Sequence, residues 1–141
     1  MTEEDLDGVE RIEQRTFPEP WSRACFRRDM NRPTSLALVA ISENEVVGYA
    51  VAWPEQEVHV ANIAVTPEFR QQGIGRLLLE RIEEFGRQAG ARSVYLEVRK
   101  SNSRARAFYR RLGFIQTYTR EGYYSNGEDA IIMEKDIAPS E

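Results

Sequence analysis

Two glycines that precede a helical pattern are the first residues in this chain that could bind a ligand. Gly73 and Gly75 open a segment whose apolar residues recur at helical spacing and are predicted to face a core: Ile74, Leu77, Leu78, Ile82 and Phe85. The first turn of a helix leaves backbone N–H groups unpaired and carries the positive end of the helix dipole. Because glycine has no Cβ, a ligand can approach closely, and residues 70–75 are predicted to hold a diphosphate. By itself, such a glycine pair is equally compatible with a tight strand-to-helix turn.

Two common nucleotide-binding loops do not match this segment. A P-loop needs Lys and then Ser or Thr after its last glycine, whereas Gly75 is followed by Arg76 and Leu77. The dinucleotide fingerprint needs three glycines at set spacing, and this loop has two. The predicted phosphate site is therefore of another kind.

A carboxylate interrupts the apolar strand predicted over residues 93–98. Side-chain alternation sends Val94, Leu96 and Val98 to one face of the strand. Glu97 points to the opposite face. A carboxylate in such a strand is costly unless it is paired or lines a wet cleft. Glu97 is therefore either a functional group in a cleft or one partner of a structural ion pair with an arginine.

Four segments together resemble one enzyme family. The sequence R-Q-Q-G-I-G at 70–75, after N-I-A-V-T-P-E-F, resembles the acetyl-CoA-binding signature of the GNAT acetyltransferases. L-E-V-R-K-S-N at 96–102, A-F-Y-R-R-L-G-F at 107–114 and Y-Y-S-N-G-E-D-A-I-I-M at 123–133 follow in the family's order. Within that family the chain is most similar to the RimI type, the alanine N-acetyltransferases of ribosomal proteins. The resemblance covers most of the chain from about Pro18 onward.

The resemblance implies acetyl-CoA as the acetyl donor and assigns residues to it. In GNAT proteins the strand before the glycine loop bulges and separates from its neighbour, which frees backbone N–H groups for the acetyl carbonyl and the pantetheine arm. That role would fall on the backbone of Ile63, Ala64 and Val65. Asn102 would bond the pantetheine, cap a helix, or do both. The phosphates would lie against Arg70, Gln71, Gln72, Gly73, Ile74, Gly75 and Arg76.

The resemblance also implies an acid, a base and a possible helper. Glu97 matches the proposed general base of RimI-like enzymes, and Tyr109 matches the tyrosine that protonates the departing thiolate. By periodicity alone Tyr109 belongs to an apolar helix stripe, so core packing is the competing interpretation. His59 lies near the position of a catalytic side chain in other N-terminal acetyltransferases. The alternative for His59 is an ordinary exposed strand histidine.

The expected acceptor is a protein N-terminus. The loop around Trp21 and the pair Tyr123 and Tyr124 resemble the two walls that hold a peptide's first residues in N-terminal acetyltransferases. We expect the α-amino group of an N-terminal alanine of a ribosomal protein as substrate. The alternatives are a GNAT enzyme for a lysine, a polyamine or another small amine, and a non-catalytic acetyl-CoA-binding module.

Length and composition set the remaining expectations. At 141 residues the chain is expected to form one domain over 1–141. The acidic start and the absence of a long apolar run predict a cytoplasmic protein with no membrane segment. A single cysteine, Cys25, excludes an internal disulfide, and we expect no metal site. A net charge of −4 without a basic, aromatic cluster argues against nucleic-acid binding. We expect a monomer or weak dimer.

The patterns predict an α/β fold of the GNAT type, a mixed sheet with helices on both faces. No residues remain for the strand that usually precedes the family's first helix, so that strand is expected to be missing. Ser22 and either Ser101 or Asn102 are predicted helix caps. Helices are expected at about 2–15, 22–30, 73–90 and 102–112, and strands at 36–41, 46–53, 57–65, 93–98, 114–119 and 130–135.

Overall fold

The computed structural model describes residues 1–138, and residues 139–141 of the expected domain lie outside the described residues. Within 1–138 the chain forms one mixed sheet of six strands in the order β1-β2-β3-β4-β6-β5. The pairing is antiparallel everywhere except between β3 and β4, which run parallel. The strands are β1 (Leu36–Ser42), β2 (Glu45–Pro54), β3 (Val58–Val65), β4 (Ser93–Arg99), β5 (Ile115–Arg120) and β6 (Ala130–Asp136). The predicted mixed sheet is confirmed.

Four α-helices flank this sheet: α1 (Leu6–Thr16), α2 (Arg23–Asn31), α3 (Ile74–Gln88) and α4 (Ser103–Arg111). Two caps behave as predicted, because Ser22 Oγ accepts from the Cys25 N–H at 3.3 Å and Asn102 Oδ1 accepts from the Ala105 N–H at 3.1 Å. In residues 1–138 the first element is a 3₁₀ turn that leads into α1, and no strand precedes it. No helix in the described range has the length and apolar character needed to cross a bilayer.

The two faces of the sheet carry separate cores. Helices α1 and α2 cover one face, with Leu6, Val9, Ile12, Phe26, Tyr49 and Val51 buried between helix and sheet. The larger core lies on the other face under α3 and α4 and includes Val58, Val60, Leu79, Ile82, Leu96, Tyr109 and Met133. The predicted placement of helices on both faces is therefore confirmed.

The buried stripe of α3 differs from the predicted one at Leu77, whose side chain is 61% exposed. The helix instead buries Leu78, Leu79, Ile82, Glu83 and Gly86. Because Leu77, Leu78 and Leu79 are consecutive, the sequence is compatible with several rotations of the helix about its own axis. Close packing selects one of them: a Cβ on Gly86 would approach Val58 Cγ2 to 2.8 Å, so this turn of the helix lies directly on the sheet.

Two adjacent residues at the start of β5 allow a direct test of this packing. Phe114 is 1% exposed and Ile115 is 66% exposed. Replacing Phe114 with alanine should lower the free energy of unfolding by about 3–5 kcal/mol, because it leaves a cavity in the larger core. The matched control, Ile115→Ala, should cost less than about 0.5 kcal/mol in urea titrations. Equal losses would contradict this orientation of the chain.

Candidate active site

The centre of the site is a gap between two neighbouring strands. Within the described chain, β3 and β4 pair only at Val58 with Val94 and at His59 with Tyr95. Beyond His59, β3 continues to Val65 with a partner on its β2 side alone. Backbone polar groups on the open side therefore have no strand to bind.

The orientation of the free groups follows from the β2 pairing. The Thr66 N–H donates to the Val47 carbonyl at 2.8 Å, which marks a hydrogen-bonded pair. In an antiparallel ladder such pairs alternate with pairs whose N–H groups point away from the partner strand. Ile63 and Val65 thus direct their N–H groups into the gap, whereas the Ala64 N–H faces β2. Of the three residues predicted to offer backbone donors, Ile63 and Val65 remain, and Ala64 is excluded because its N–H faces β2.

A bulge in β3 produces this arrangement. Val51 lies opposite Asn62 but Ala52 lies opposite Val60, so Ala61 is an extra residue on β3. The side-chain alternation consequently changes at this point. Val60 and Ile63 both contact the core under α3, whereas Asn62 faces α1. The bulge therefore sets which main-chain groups enter the gap.

The glycine loop leads from the gap into α3. Gly73, with φ of 84°, occupies the left-handed region, and a Cβ there would meet nothing within 4 Å. A Cβ on Gly75 would approach Phe108 Cζ to 3.0 Å, so this glycine allows α3 to pack closely against α4. The first-turn N–H groups of a 15-residue helix thus face an uncrowded surface.

Arg70 connects the loop to the gap. Its Nε donates to the Val65 carbonyl at 3.1 Å. Burial, followed by the positive charge of Arg104, lowers the pKa of Arg70. The other arginine of the loop, Arg76, is exposed and pairs with Glu80 at 3.1 Å along α3. The positive charges of Arg70 and Arg104 therefore lie near each other beside the loop.

A histidine and a carboxylate meet across β3 and β4. His59 Nε2 lies 2.7 Å from Glu97 Oε2, and the two side chains are 16% and 13% exposed. Tyr95 stacks flat on the imidazole with ring centroids 4.5 Å apart, and Trp53 contacts it edge-on at 5.3 Å. These aromatic rings fix the plane of the imidazole.

Aromatic side chains from two separate segments flank this pair. Trp21 stacks on Trp53 with centroids 6.2 Å apart. Tyr123 and Tyr124 contact each other edge-on at 5.1 Å. Burial raises the pKa of Tyr123, and the Glu97 charge raises it further. Burial likewise raises the pKa of Tyr124 to about 12, with Glu97 again contributing. The electrostatic influence of Glu97 therefore reaches both tyrosines.

Arg99 ties the two segments together. Its guanidinium lies 3.9 Å from the centre of the Tyr124 ring, and its nitrogens contact Glu128 at 3.2 Å and Glu19 at 3.3 Å. Ser125 Oγ also donates to Glu19 at 2.6 Å. The loop before α2 and the loop before β6 are thus held close to each other. Sequence reasoning missed Arg99, although a charged residue at the end of an apolar strand was a visible signal.

Tyr109 lies on α4, on the opposite face of the sheet from Glu97. It is packed between Phe108 and Phe114 in the larger core, and burial raises its pKa. Tyr109 is 9% exposed, and within residues 1–138 its hydroxyl has no hydrogen-bond partner. The predicted acid and the predicted base therefore lie on opposite faces of the sheet.

Comparison with known proteins identifies the family of this chain. The family model for the acetyltransferase (GNAT) family matches residues 6–114. The chain belongs to the GNAT acetyltransferase family. It is 37% identical over 139 residues to the [ribosomal protein bS18]-alanine N-acetyltransferase of Salmonella typhimurium, covering 95% of this chain and 93% of that protein. It is 33% identical over 148 residues to an N-alpha-acetyltransferase of Saccharolobus solfataricus, covering 95% and 89%.

The fold agrees with a solved GNAT structure. The crystal structure of the ribosomal-protein-S18-alanine N-acetyltransferase from Escherichia coli superposes with a TM-score of 0.86 at 34% identity, covering 100% of this chain and 93% of that one. The predicted family, fold and enzyme class are confirmed. The chain is an acyltransferase, and the acetyl donor of the family is acetyl-CoA.

The GNAT site fits this donor at three points. The uncrowded αL position at Gly73 allows a phosphate to approach the first turn of α3. The N–H groups of Ile63 and Val65 are unpaired by β4 and can receive a carbonyl oxygen. Arg70 and Arg104 supply positive charge beside the loop.

The protonation of Tyr109 in this GNAT site is open to a direct test. Burial raises its pKa above the ordinary value of about 10, so the native phenol keeps its proton where an unfolded tyrosine has begun to lose its own. The contribution of Tyr109 to stability is thus complete below pH of about 10 and declines as pH rises further. Tyrosinate absorbance of wild type minus Tyr109→Phe should show less ionisation of Tyr109 at pH 10 than a tyrosine amide standard shows. Half-ionisation there, as in a tyrosine amide standard, would contradict the burial of this phenol.

Proposed function

We propose that this protein transfers the acetyl group of acetyl-CoA to the α-amino group of a protein N-terminus, with an N-terminal alanine of a ribosomal protein as the preferred acceptor. The observation that carries the proposal is the His59–Glu97 contact beside the strand gap. It puts a proton acceptor between two aromatic walls. The identity to a ribosomal protein alanine N-acetyltransferase supports the choice of acceptor.

Glu97 is the general base in this proposal, and His59 assists it. A free α-amino group has a pKa near 7.7–8.0, compared with about 10.4 for lysine, a difference of about 3.4 kcal/mol. A carboxylate acting directly or through one water is therefore sufficient for an N-terminus. In the tautomer that carries the Nε2 proton, His59 donates to Glu97 and fixes its orientation. His59 can also stabilise the proton that Glu97 removes from the α-amino group.

The groups on the gap and on α4 would complete the transfer. The N–H groups of Ile63 and Val65 bind the oxygen on which negative charge develops. Bound acetyl-CoA supplies an activated acetyl group as a thioester. Tyr109, held protonated by burial, donates its hydroxyl proton to the leaving sulfur. Residues 70–76 and Asn102 would hold the rest of the donor.

The two walls would select the acceptor. In this proposal Trp21, stacked on Trp53, forms one wall of the acceptor site, and the paired rings of Tyr123 and Tyr124 form the other. Rings lose little conformational entropy on binding, so they hold a short peptide end efficiently. Glu97, near the tyrosines, favours a cationic amine as it arrives.

Substitution of the acid and the base tests the mechanism. Glu97→Gln and Tyr109→Phe should each lower kcat by about 10²–10⁴-fold, because each removes a proton-transfer group. The matched controls are Glu134→Gln, opposite Tyr95 on the neighbouring strand, and Tyr118→Phe on β5. Both should leave kcat within about twofold. An undiminished rate for Glu97→Gln at neutral pH would exclude Glu97 as the base.

The acceptor is tested by a panel of peptides. Release of CoA is followed with peptides that begin Ala-Arg, Ser-Arg and Met-Arg, and with an N-blocked peptide that carries one lysine. We expect turnover of the free N-termini with Ala-Arg preferred, and none with an N-acetylated Ala-Arg control. Turnover confined to the lysine peptide would refute the proposed acceptor but would leave the acetyl-CoA site intact.

A further inference from the structure

A buried carboxylate outside the proposed chemistry lies at the junction of four elements. Glu13 on α1 is 1% exposed. Its Oε1 accepts from the Tyr49 hydroxyl at 2.5 Å, and its Oε2 accepts from the Trp21 N–H at 2.9 Å. The Asn62 amide group donates to both oxygens, at 2.9 and 3.0 Å. Every donor comes from a different part of the chain.

This arrangement is more specific than core packing requires. A buried carboxylate costs several kcal/mol unless its oxygens are satisfied. Among residues 1–138 no lysine, arginine or histidine forms an ion pair with Glu13, so neutral donors alone satisfy it. Burial and then the charge of Glu13 raise the pKa of Tyr49, so this phenol remains a donor at all ordinary pH values. An apolar side chain could fill the same space, but it could not hold three donors in fixed positions.

One of the donors anchors the loop before α2. Residues 17–21 have no helix or strand, and Pro18 and Pro20 have no N–H to donate. After the Phe17 N–H, which closes α1, the bond from the Trp21 N–H to Glu13 is the one main-chain hydrogen bond donated by this loop in the described residues. Glu13 therefore fixes the main chain at Trp21, and the ring then packs against Phe26 and Trp53.

A second donor belongs to the bulged strand. Asn62 comes directly after the extra residue of β3 and directly before Ile63, whose N–H points into the gap. The remaining donor, Tyr49, lies opposite Ala64 on β2. Glu13 thus holds the strand that carries the free amides at a fixed distance from the loop that carries Trp21.

We propose that Glu13 is a positioning residue for acetyl transfer, which sets the wall at Trp21 relative to the N–H groups of Ile63 and Val65. The inference rests on the proposed function, because it takes Trp21 as a wall for the acceptor. Glu13 touches neither reactant. It acts through the Trp21 N–H and the Asn62 amide group, and a misplacement of about 1 Å at a reacting centre can cost up to 10²-fold in rate.

Glu13→Met is the direct test, because it keeps a side chain of similar length and removes both acceptor oxygens. With the Ala-Arg peptide, the KM for peptide should rise about tenfold, as expected for the loss of the Trp21 bond to a charged acceptor. The pH dependence of kcat should not change, because the Glu97 base is intact. The matched control is Glu83→Met, which removes a carboxylate of 5% exposure, paired with Lys135 at 3.0 Å, from the opposite face. That variant should lose stability but keep both kinetic constants.

A substrate-independent readout separates this inference from the proposed function. Amide hydrogen exchange at Trp21 should be slow in the wild type and in Glu83→Met, and fast in Glu13→Met, whichever acceptor the enzyme uses. Should Glu13→Met fail to fold, Asn62→Ala cuts the link to the bulge while keeping the Trp21 bond, and it should lower kcat about tenfold. Unchanged exchange and peptide KM in Glu13→Met, or an unchanged kcat in Asn62→Ala, would overturn the inference.

Discussion

The early separation of β3 from β4 is the constraint on which the rest of this structure depends. A central strand normally satisfies its polar groups on both sides, and an unpaired buried N–H costs free energy. Here β3 leaves its parallel neighbour after His59 and keeps only its antiparallel one. The sheet therefore retains its continuity at one end and opens at the other. At the open end, backbone N–H groups of β3 have no partner on β4, and the sheet is open between its two faces.

Buried polar groups on the α1 and α2 face form hydrogen bonds close to this opening. Glu13 fixes the bulge, and Asp29, which is fully buried, accepts from the Trp53 indole at 2.8 Å and from Ser35 at 2.9 Å. Trp53 in turn contacts the His59 ring. Such networks hold a single geometry only when every member is satisfied. A site that must hold two reactants gains from this, because little reorganisation remains for the reaction.

Local patterns in the sequence were sufficient for most of the fold and for part of the site. Periodicity and capping residues predicted the helices, because hydrogen bonds within three or four residues decide where a helix begins, as at Ser22 and Asn102. Alternation placed Glu97 on the face opposite Leu96. The contact of Glu97 with His59 could not be predicted in this way, since it depends on the register of two parallel strands separated by a whole helix. The same holds for the pairing of Arg99 with Glu19 across 80 positions of the chain.

Glu13 shows where such reasoning stops and what it can still detect. Glu13 shares the buried face of α1 with Leu6, Val9 and Ile12, at a spacing that helical periodicity assigns to one face. Burial of a carboxylate in turn requires donors to be present. The identity of those donors is a property of the tertiary structure, because they come from a loop and two strands that are distant in sequence. A charged residue within an apolar helix stripe therefore predicts a polar junction, and the fold determines which elements that junction joins.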